Sequence, residues 1–454
     1  MKTNKTKSVF VCQNCGAESP KWIGKCPSCR EWNTYQEEVI VIGQREKSSI
    51  AVSQRQKPVL LEDIPSKEGI RNKSGISELD RILGGGMVPG SLILLGGEPG
   101  IGKSTIALQI ALSLKESSVL YVSGEESEDQ ISLRAKRLKL SNPSCYIFNE
   151  TDLDTIITQT ENIKPGLLII DSIQTIQSSM LESPPGSVSQ VRECAAQLLK
   201  LAKISGMPVL LIGHITKDGS LAGPKVLEHI VDVVLYFEGE NNYIFRVLRS
   251  AKNRFGATSE IGIFEMGESG LKEVKNPSET FINQHDEPLS GISIAATIDG
   301  LRPFLIETQA LVSSAVYGTP QRSSTGFDIR RLNMLLAVLE KRAGFRLAAK
   351  DVFLNIAGGI KVYDPAIDLA VISSILSSNL DIPLARDICF SGETGLSGEI
   401  RPVSRIEQRI REAAKMGFKK IYVSKFQKNI PVKGTEIEVT PVGKTETLVR
   451  LLFS

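Results

Sequence analysis

The hydrophobic positions in the first half of the chain fall into short apolar runs separated by segments with helical periodicity. Four of these runs, at residues 91–95, 119–123, 166–171 and 207–213, have the length and composition of buried strands. An intervening segment at 106–114, IALQIALSL, has the apolar pattern of a helix. Strands that alternate with helices predict a parallel sheet with helices on both faces.

A second series of apolar runs, at 292–298, 351–360 and 421–426, alternates with helical segments and predicts another α/β unit. The stretch from about residue 42 to 57 is polar and typical of a linker. The pattern therefore divides the chain into four parts: a module at 1–35, a linker at 36–60, an α/β domain at 61–280 and another at 285–454.

Two kinds of membrane-directing segment are missing from the pattern. No apolar run approaches the ~18 residues that a membrane-spanning helix needs. The first residues are basic but lack an apolar stretch long enough for a signal peptide. We therefore expect a cytoplasmic protein with no membrane partner.

Four cysteines near the amino terminus have the spacing of a metal site. Two C-x2-C pairs, ten residues apart, comprise Cys12, Cys15, Cys26 and Cys29. Four thiolates suit a tetrahedral Zn²⁺ and leave no open position, so the predicted site is structural. Two disulfides are the alternative, and a reducing compartment argues against them. We expect the neighbouring aromatic residues, Trp22 and Trp32, to help hold the small module together.

The charge of the chain is unevenly distributed. The formal net charge of +3 gives no reason by itself to propose nucleic acid as a partner. Residues 1–60, however, carry a net charge of +5. A basic zinc module can bind nucleic acid or protein, or it can be a scaffold with a solvated face, and the motif does not decide among these.

The segment after the first apolar run has the G-x4-G-K-[ST] spacing of a phosphate-binding loop, between a strand and a helix. The residues predicted to bind ATP are Gly97, Glu98, Pro99, Gly100, Ile101, Gly102, Lys103, Ser104 and Thr105. Backbone N–H groups of the loop surround phosphates, Lys103 reaches the β and γ phosphates, and Ser104 would ligate Mg²⁺. The positive end of the following helix also favours the anion.

Polar residues at the ends of the other three strands predict the rest of an ATPase site. Asp171 ends the third strand and matches a Walker B aspartate, which supports Mg²⁺. Glu125 or Glu126, in the turn after the second strand, can polarise the attacking water. His214 follows the fourth strand, where it either senses the γ-phosphate or is a hydrogen-bonded structural residue. This order of elements resembles the RecA/DnaB class of ATPases, which form hexamers or filaments.

A pentapeptide makes the resemblance specific. It consists of Lys252, Asn253, Arg254, Phe255 and Gly256. Together with the four-cysteine module and the phosphate loop, it resembles the bacterial RadA (Sms) family of DNA-repair proteins, from Val11 to about Phe453. Segments 73–80 and 213–219 support the resemblance.

The family resemblance implies a motor similar to DnaB-type hexameric helicases. Such a protein uses ATP to drive branch migration of recombination intermediates, so single-stranded and branched DNA and a recombinase are its implied partners. The resemblance favours Glu125 over Glu126 as the residue that activates water. It also implies that Lys252 and Arg254 reach the ATP of a neighbouring subunit, which makes hydrolysis depend on assembly.

Two polar loops that follow core strands are expected to face the DNA. One spans residues 172–191 and is rich in serine and glutamine. The other spans 216–225, where Lys217 and Lys225 are the predicted phosphate contacts. Ordinary solvent-exposed loops are the alternative.

The carboxyl-terminal third resembles the Lon protease catalytic domain in segments 351–359, 364–370 and 392–409. Where Lon has its nucleophilic serine, residues 364–370 contain none, and where Lon has its activating lysine, residues 402–409 contain none. A Ser–Lys dyad needs a neutral amine, which an always-charged arginine cannot supply. We therefore predict no peptidase activity.

Basic residues are concentrated in this Lon-like domain. Residues 401–430 carry a net charge of +7, and residues 320–350 carry +5. An apolar helical stripe at 406–414 leads us to expect that the basic residues point outward, with Arg405 and Arg409 as predicted DNA contacts. A solvated helix face is the alternative.

The combined prediction is an α/β protein with three folded parts: a small zinc ribbon, a RecA-like P-loop ATPase core on a parallel sheet, and an inactive Lon-like α/β domain. Three other functions are open. The missing serine and lysine disfavour an ATP-dependent protease. An adaptor that binds ATP only to assemble would lack hydrolysis stimulated by single-stranded DNA. The zinc module and the Lon-like segment disfavour a clock-type phosphotransferase.

Overall fold

The computed structural model describes residues 5–42, 60, 62, 71–214, 226–239, 244–283, 287–315, 318–428, 430 and 436–453. The chain divides into two compact units. The first comprises residues 1–238, 248–258 and 266–272, and the second comprises 239–247, 259–265 and 273–454. Residues 273–280, which the sequence pattern assigns to the first α/β domain, lie in the second unit.

A three-stranded antiparallel sheet forms the amino-terminal ribbon. Its strands are β1 (Lys5–Cys12), β2 (Glu18–Ser19) and β3 (Tyr35–Ile42), in the order β2-β1-β3. β3 pairs with β1 along its whole length. The prediction of a linker beginning at residue 36 is therefore wrong for residues 36–42, because the ladder with β1 satisfies their backbone groups and their valines and isoleucines favour a strand.

A large sheet with flanking helices follows the ribbon. Its elements are α1 (Ser77–Ile82), β4 (Leu92–Gly97), α2 (Lys103–Ser113), β5 (Val119–Ser123), α3 (Glu128–Leu138), β6 (Cys145–Asn149), α4 (Leu153–Ile163), β7 (Leu167–Asp171), α5 (Val188–Ser205), β8 (Val209–His214), α6 (Val226–Ile230), β9 (Val233–Glu238), β10 (Phe245–Asn253), β11 (Ile261–Gly267) and β12 (Gly270–Glu273). The strand order is β12-β11-β10-β9-β4-β8-β7-β5-β6. The six strands from β9 to β6 in this order are parallel, which confirms the predicted parallel sheet.

Local sequence explains where the helices begin and why the central strands are buried. Ser127, Asp152 and Ser187 accept hydrogen bonds from backbone N–H groups and cap α3, α4 and α5. The apolar strands β4, β5 and β7 are buried at every position. Alternate side chains of these strands, such as Leu94, Leu120 and Leu168, form one core with the inner faces of α4 and α5. The side chains between them are buried as well, as in a parallel strand that is covered on both faces.

The carboxyl ends of the parallel strands meet at one edge of the sheet. Gly97 of β4 pairs with His214 of β8, and Ser123 of β5 pairs with Asp171 of β7. β7 and β8 are neighbours as well. This register brings the ends of all four predicted strands together, at the edge where open α/β sheets bind their ligands.

The second unit has a seven-stranded sheet with helices on both faces. Its elements are α7 (Pro277–Phe281), β13 (Ile292–Asp299), β14 (Arg302–Ser314), β15 (Arg322–Thr325), α8 (Ile329–Ala343), β16 (Lys350–Ile356), α9 (Asp368–Leu380), β17 (Ile388–Ser391), β18 (Glu393–Thr394), β19 (Ile400–Arg401), α10 (Ile406–Lys415), β20 (Lys420–Ser424), β21 (Glu438–Val442) and α11 (Thr445–Phe453), with short 3-10 turns at Ala357–Gly359 and Pro365–Ile367. The large sheet has the order β15-β16-β14-β13-β17-β20-β21, and β18 pairs with β19.

Two separate cores hold this second sheet. Ala295 of β13 packs in a cluster with residues of α8, α9 and α11, whereas its neighbours Ile294 and Ala296 pack with α10. The alternation follows from the two-residue period of a strand. α7 belongs to this unit because Ser278 donates a hydrogen bond to Glu412 of α10 at 2.6 Å.

Candidate functional site

The loop between β4 and α2 leaves backbone open to a ligand. Gly102 precedes α2 with a φ of 114°, a conformation that favours glycine. A Cβ added at Gly97 would lie 2.9 Å from the carbonyl oxygen of Phe237, so that position also needs glycine. At Gly100, where φ is +77°, nothing lies within 4 Å of an added Cβ. The loop therefore has close packing behind it and free space in front, as a phosphate-binding loop requires.

Lys103, the first residue of α2, turns back onto this loop. Its side chain is buried, and Nζ donates to the carbonyl oxygens of Gly97 and Glu98, each at 2.8 Å. Burial lowers the pKa of Lys103, and the carboxylates of Asp171 and Glu125 oppose that shift. The positive charge of the ammonium group thus lies beside the amino end of an 11-residue helix, whose dipole is also positive there. Both charges favour a bound anion.

Asp171 ends β7 beside the start of α2. It is buried, and its Oδ2 accepts a hydrogen bond from the hydroxyl of Tyr121 at 2.6 Å. Burial raises the pKa of Asp171, whereas hydrogen bonds from Tyr121 and Ser104 lower it, and the net shift is upward. A serine hydroxyl beside a carboxylate is an oxygen donor pair that fits Mg²⁺, and a cation there would favour the ionised carboxylate.

Glu125 is the carboxylate that faces the ends of β7 and β8. Ser172, the residue after β7, donates its hydroxyl hydrogen to Oε1 of Glu125. Nε2 of His214 lies 3.2 Å from the same oxygen. Glu126 instead pairs with Arg134 of α3. The side chain of Glu125 is 41% exposed, so it can contact a water molecule, whereas an arginine already neutralises Glu126.

The pentapeptide at 252–256 lies at the opposite edge of the sheet. Asp232, just before β9, accepts a hydrogen bond from the N–H of Leu92 at the start of β4 (3.1 Å). The same carboxylate pairs with Arg254 at 3.2 Å. The length of β4, about 17 Å for five residue steps, separates this contact from the phosphate loop. Arg254 therefore does not contact the nucleotide site of its own chain.

The pentapeptide residues differ in how firmly the chain holds them. Lys252 donates from Nζ to the carbonyl oxygens of Glu228 (2.5 Å) and Val231 (2.7 Å), at the end of α6. Asn253 accepts a hydrogen bond from the N–H of Phe255 at 2.9 Å. Arg254 keeps 54% of its side chain exposed, despite its bond to Asp232. In this conformation Lys252 supports α6, and Arg254 is the pentapeptide cation whose side chain is exposed.

Gly256 ends the pentapeptide in close packing against the loop after α1. A Cβ added at Gly256 would lie 3.5 Å from the Cα of Gly84. The carbonyl oxygen of Phe255 accepts a hydrogen bond from Arg71 at 2.7 Å. The residues after Arg254 therefore anchor the pentapeptide to the body of the unit.

The four cysteines of the ribbon form a cluster that fits zinc. Their Sγ atoms all lie within 4.8 Å of one another. The Sγ atoms of Cys12 and Cys29 are 3.7 Å apart, and those of Cys15 and Cys26 are 3.5 Å apart. A tetrahedral site with Zn–S bonds of about 2.3 Å needs a sulfur–sulfur separation of about 3.8 Å. The donor set and its spacing therefore suit a structural Zn²⁺.

The two cysteine pairs have the same backbone conformation. Gly16 and Arg30, which follow the second cysteine of each pair, have positive φ values of 71° and 64°. Each donates its N–H to the first cysteine's carbonyl oxygen, at 2.8 and 2.9 Å. The expectation that Trp22 and Trp32 help hold the module together is wrong, because both are exposed. Tyr35 and the partly buried Phe10 are the aromatic residues packed with the cysteines.

Arg409, predicted to contact DNA, is buried. It is 2% exposed and pairs with Asp364 at 2.6 Å. It also donates to the carbonyl oxygens of Ala296 (2.9 Å) and Ser404 (3.0 Å). Burial would raise the pKa of Asp364, but Arg409 and backbone N–H groups hold it below its usual value. The prediction is wrong because position 409 lies one helical turn from buried Ile406, on the same face of α10.

The remaining basic residues of 401–430 are largely exposed but many are paired. Arg405 is exposed, and its Nη1 donates to the carbonyl oxygen of Gly300 at 2.5 Å. Four further cations form ion pairs: Arg401 with Glu399, Arg411 with Glu407, Lys419 with Asp387, and Lys420 with Glu438. The acidic partners outside the segment reduce the positive charge that its own composition suggests.

The segment at 172–191, which we expect to face the DNA, makes several contacts within the first unit. Ile173 and Ile176 are fully buried. The side-chain amide of Gln190 donates to the carbonyl oxygens of Leu181 and Ser183, each at 3.0 Å. The segment contains no lysine or arginine. Phosphate contacts from this region would depend on the other loop, and Lys217 and Lys225 lie outside the described residues.

Family models match each part of the chain. A model described as an AAA domain matches residues 61–220. A rubredoxin metal binding domain matches residues 10–37, which include the four cysteines. A model described as subunit ChlI of Mg-chelatase matches residues 312–427. The first two agree with the nucleotide site and the metal cluster.

Named relatives match the chain along nearly its whole length. The DNA repair protein RadA of Bacillus subtilis (strain 168) is 51% identical over 451 residues, which are 98% of each chain. The DNA repair protein RadA of Streptococcus pyogenes serotype M6 is 49% identical over 99% of this chain and 100% of its own. This chain belongs to the RadA family of DNA repair proteins.

Family membership confirms the resemblance drawn from the pentapeptide, the cysteines and the phosphate loop. A second kind of match is to solved structures. A KaiC-like protein from Pyrococcus horikoshii OT3 is 24% identical with a TM-score of 0.39, and it covers 45% of this chain and 99% of its own. A solved ATPase domain of another protein is 17% identical with a TM-score of 0.40, covering 47% of this chain and 95% of its own.

Among the described residues, no helix is both long and apolar enough to cross a membrane.

Sequence reasoning missed four residues of the nucleotide site and the opposite edge of the sheet. Tyr121 and Ser172 donate hydrogen bonds to Asp171 and Glu125, and Asp232 holds Arg254. Lys203 pairs with Asp232 from α5 at 2.8 Å. Tyr121 lies inside an apolar strand, so its position in the sequence does not distinguish it. Ser172 directly follows Asp171, the predicted Walker B aspartate, so its position could have identified it.

Removal of one cysteine should abolish metal binding. We expect one zinc per chain in the purified protein and less than about a tenth of that in Cys26→Ser, because three thiolates do not complete a closed site. The measurement is zinc by atomic emission alongside protein concentration. Cys194→Ser is the matched control, since Cys194 is buried in the core of the first α/β sheet. Equal zinc content in the two variants would contradict the site.

Loss of Arg409 should destabilise the second unit. Arg409→Ala leaves the Asp364 carboxylate buried and unpaired, which costs about 3–5 kcal/mol. The control is Arg411→Ala, which removes an exposed pair with Glu407 worth less than about 0.5 kcal/mol. Hydrogen exchange of the α10 amides in the full chain measures the loss of stability in each variant.

The pH dependence of the Arg409 pair has a defined sign. Because the pKa of Asp364 is lowered in the folded chain, its stabilising contribution is present above the usual carboxyl pKa of about 3.9 and is lost as pH falls through the lower folded value. The difference in α10 exchange between Arg409→Ala and the parent chain should therefore shrink in acid. A variant that exchanged like the parent chain but bound DNA more weakly would make Arg409 a DNA contact after all.

Proposed function

We propose that this protein is a DNA-dependent ATPase that acts as a motor in recombinational DNA repair. In this function it binds single-stranded DNA, promotes branch migration of recombination intermediates, and works as a ring of identical subunits, with six as the expected number. Lys103 and Ser104 bind Mg-ATP, Asp171 supports the metal, and Glu125 orients the attacking water. The names of the relatives support a role in repair, and the site geometry supports hydrolysis.

The observation that carries this proposal is the set of contacts made by Glu125. One carboxylate oxygen contacts both Ser172 and His214. These two residues immediately follow β7 and end β8, where the segments 172–191 and 215–225 begin. A change at the γ-phosphate that moved Glu125 would therefore reach both segments directly, and DNA held by either segment would act back on Glu125. Such reciprocity is what a DNA-stimulated ATPase needs.

The position of Arg254 supports action between subunits. It lies at the edge of the sheet opposite its own phosphate loop, and about half of its side chain is exposed. A cation that completes a neighbour's site would make hydrolysis depend on assembly. In a ring, each subunit would then supply its phosphate loop to one interface and its arginine to the other.

Mixing two inactive variants tests the shared site. Lys103→Ala lacks the phosphate-loop cation but keeps Arg254, and Arg254→Ala has the converse defect. Each alone should hydrolyse ATP at background rate. In randomly mixed rings about a quarter of the interfaces join two intact halves, so mixing should restore up to about a quarter of the normal rate. If subunits exchange, as seen by labelled chains, and no activity returns, Arg254 does not act across the interface.

We also propose that a recombinase is a partner of this protein. A protein that processes recombination intermediates must reach them after strand exchange has begun.

The Lon-like second unit offers exposed cations, including Arg405, for duplex phosphates. In the Lon-like segments, Arg409 and Asp364 form an ion pair and supply no nucleophile for peptide cleavage. We therefore expect casein to stay intact when it is incubated with the protein and ATP.

A further inference from the structure

The only two tryptophans of the chain are exposed on the zinc ribbon. Trp22 is 52% exposed and Trp32 is 66% exposed. Tryptophan side chains bury large apolar areas in most proteins, and neighbouring exposed rings mark interaction sites. The ribbon does not need these rings for its own core, which Cys12, Cys26 and Tyr35 form. They are available to another molecule.

The two rings flank one glycine. A Cβ added at Gly24 would lie 3.6 Å from the ring of Trp22 and 3.8 Å from that of Trp32, so these ring atoms are within about 7.5 Å of each other. The two rings therefore lie beside each other on one surface of the ribbon. Exposed aromatic faces can stack with the bases of a flexible strand.

One cation contacts a ring, and two more are exposed on the same ribbon. Nζ of Lys25 lies 5.3 Å from the ring centroid of Trp32, and Lys21 and Arg30 are exposed. None of the three has an ion-pair partner among the residues that the structure describes. Glu31 is the one acidic residue in the sequence from 20 to 33. Aromatic faces combined with unpaired cations suit a ligand that has both planar rings and phosphates.

We propose that Trp22 and Trp32 form a stacking platform for the bases of single-stranded DNA, with Lys21, Lys25 and Arg30 placed for its phosphates. This site deepens the proposed function and rests on its DNA-binding part. Duplex DNA keeps its bases stacked on one another, so the platform should prefer a single strand. A protein partner could also cover the rings, but a basic surface with free cations favours a nucleic acid.

The unmodified full-length protein provides a direct test, because all of its tryptophan fluorescence arises from this platform. Titration with a 20-nucleotide oligo-dT should quench the emission, since a stacked base contacts the indole ring. The same length of abasic deoxyribose-phosphate strand should bind more weakly and leave the emission unchanged. Anisotropy of the labelled oligonucleotides measures binding in the same samples.

Three outcomes are distinguishable. Quenching by oligo-dT but not by the abasic strand supports the platform. Binding by anisotropy without quenching overturns the platform and leaves the proposed DNA-dependent function intact, with the rings then free for a protein partner. Failure to bind single-stranded DNA under any nucleotide condition overturns both.

Variants supply the second arm. The double variant Trp22→Ala/Trp32→Ala should bind oligo-dT at least about tenfold more weakly, since base–aromatic stacking is worth that much or more. Trp22→Phe/Trp32→Phe should retain most of the affinity because phenylalanine also stacks. Both variants should keep one zinc per chain, which shows that the ribbon is folded. Equal affinity of the alanine and phenylalanine double variants would overturn the platform.

Discussion

Lys103→Ala should abolish ATP hydrolysis and every activity that depends on it. Among the described residues, the ammonium group of Lys103 is the cation buried against the phosphate loop, with Nζ bonded to two loop carbonyl oxygens. Its removal takes away the charge that stabilises the β and γ phosphates, so we expect the rate of phosphate release to fall by at least about a hundredfold.

The control for Lys103 separates chemistry from folding. Lys115→Ala removes an exposed lysine just beyond the end of α2, and we expect its rate to match that of the parent chain. Circular dichroism should be the same for both variants, because the Nζ of Lys103 bonds only to loop carbonyl oxygens in the described structure. An Lys103→Ala protein that hydrolysed ATP normally would mean that the loop between β4 and α2 is not the catalytic phosphate site.

Lys252→Ala should leave a folded protein that binds DNA but does not move along it. Lys252 donates to the carbonyl oxygens at the end of α6, the helix that follows segment 215–225. It also immediately precedes the Asn253–Arg254 turn. The substitution therefore disconnects α6 from the pentapeptide. Since Arg254, the cation that we propose completes the neighbour's site, lies in the turn that follows Lys252, we expect the substitution to displace it. ATP-driven branch migration should then fall on the order of a thousandfold, the scale of losing that cation.

A matched lysine makes the Lys252 result interpretable. Lys136→Ala alters an exposed lysine on α3 in the same unit and should migrate branches normally. DNA affinity of both variants should stay within about threefold of the parent chain, since affinity depends on phosphate contacts made elsewhere. If Lys252→Ala retained branch migration, the role assigned to the pentapeptide would be contradicted.

Parts of the fold that depend on local sequence could be predicted. The parallel strands are short apolar runs, and their order along the chain places Asp171 and His214 at the same edge as the phosphate loop. The G-x4-G-K-[ST] spacing alone locates Lys103 and Ser104 at the start of a helix. The four cysteines converge because two short turns, each ending in a residue with positive φ, orient them.

Features that depend on distant pairing could not be predicted. The charge pattern of its own helix places Arg409 among the surface cations. Its spacing from Ile406 puts it on the buried face, but the carboxylate that pairs with the buried charge, Asp364, lies 45 residues earlier. Residues 36–42 follow a cysteine module and begin with polar residues, but β1 pairs with them across 25 or more residues. The resemblance favours Glu125 over Glu126 as the residue that activates water, but the different contacts of the two carboxylates depend on Ser172, His214 and Arg134.

The measurement that tests the central claim most directly is steady-state ATP hydrolysis by the full-length protein with and without single-stranded DNA, compared with Glu125→Gln. We predict that single-stranded DNA raises the rate severalfold, and that Glu125→Gln loses at least about 99% of the stimulated rate while it still binds ATP. A rate that DNA does not change, or that survives Glu125→Gln, would contradict the account.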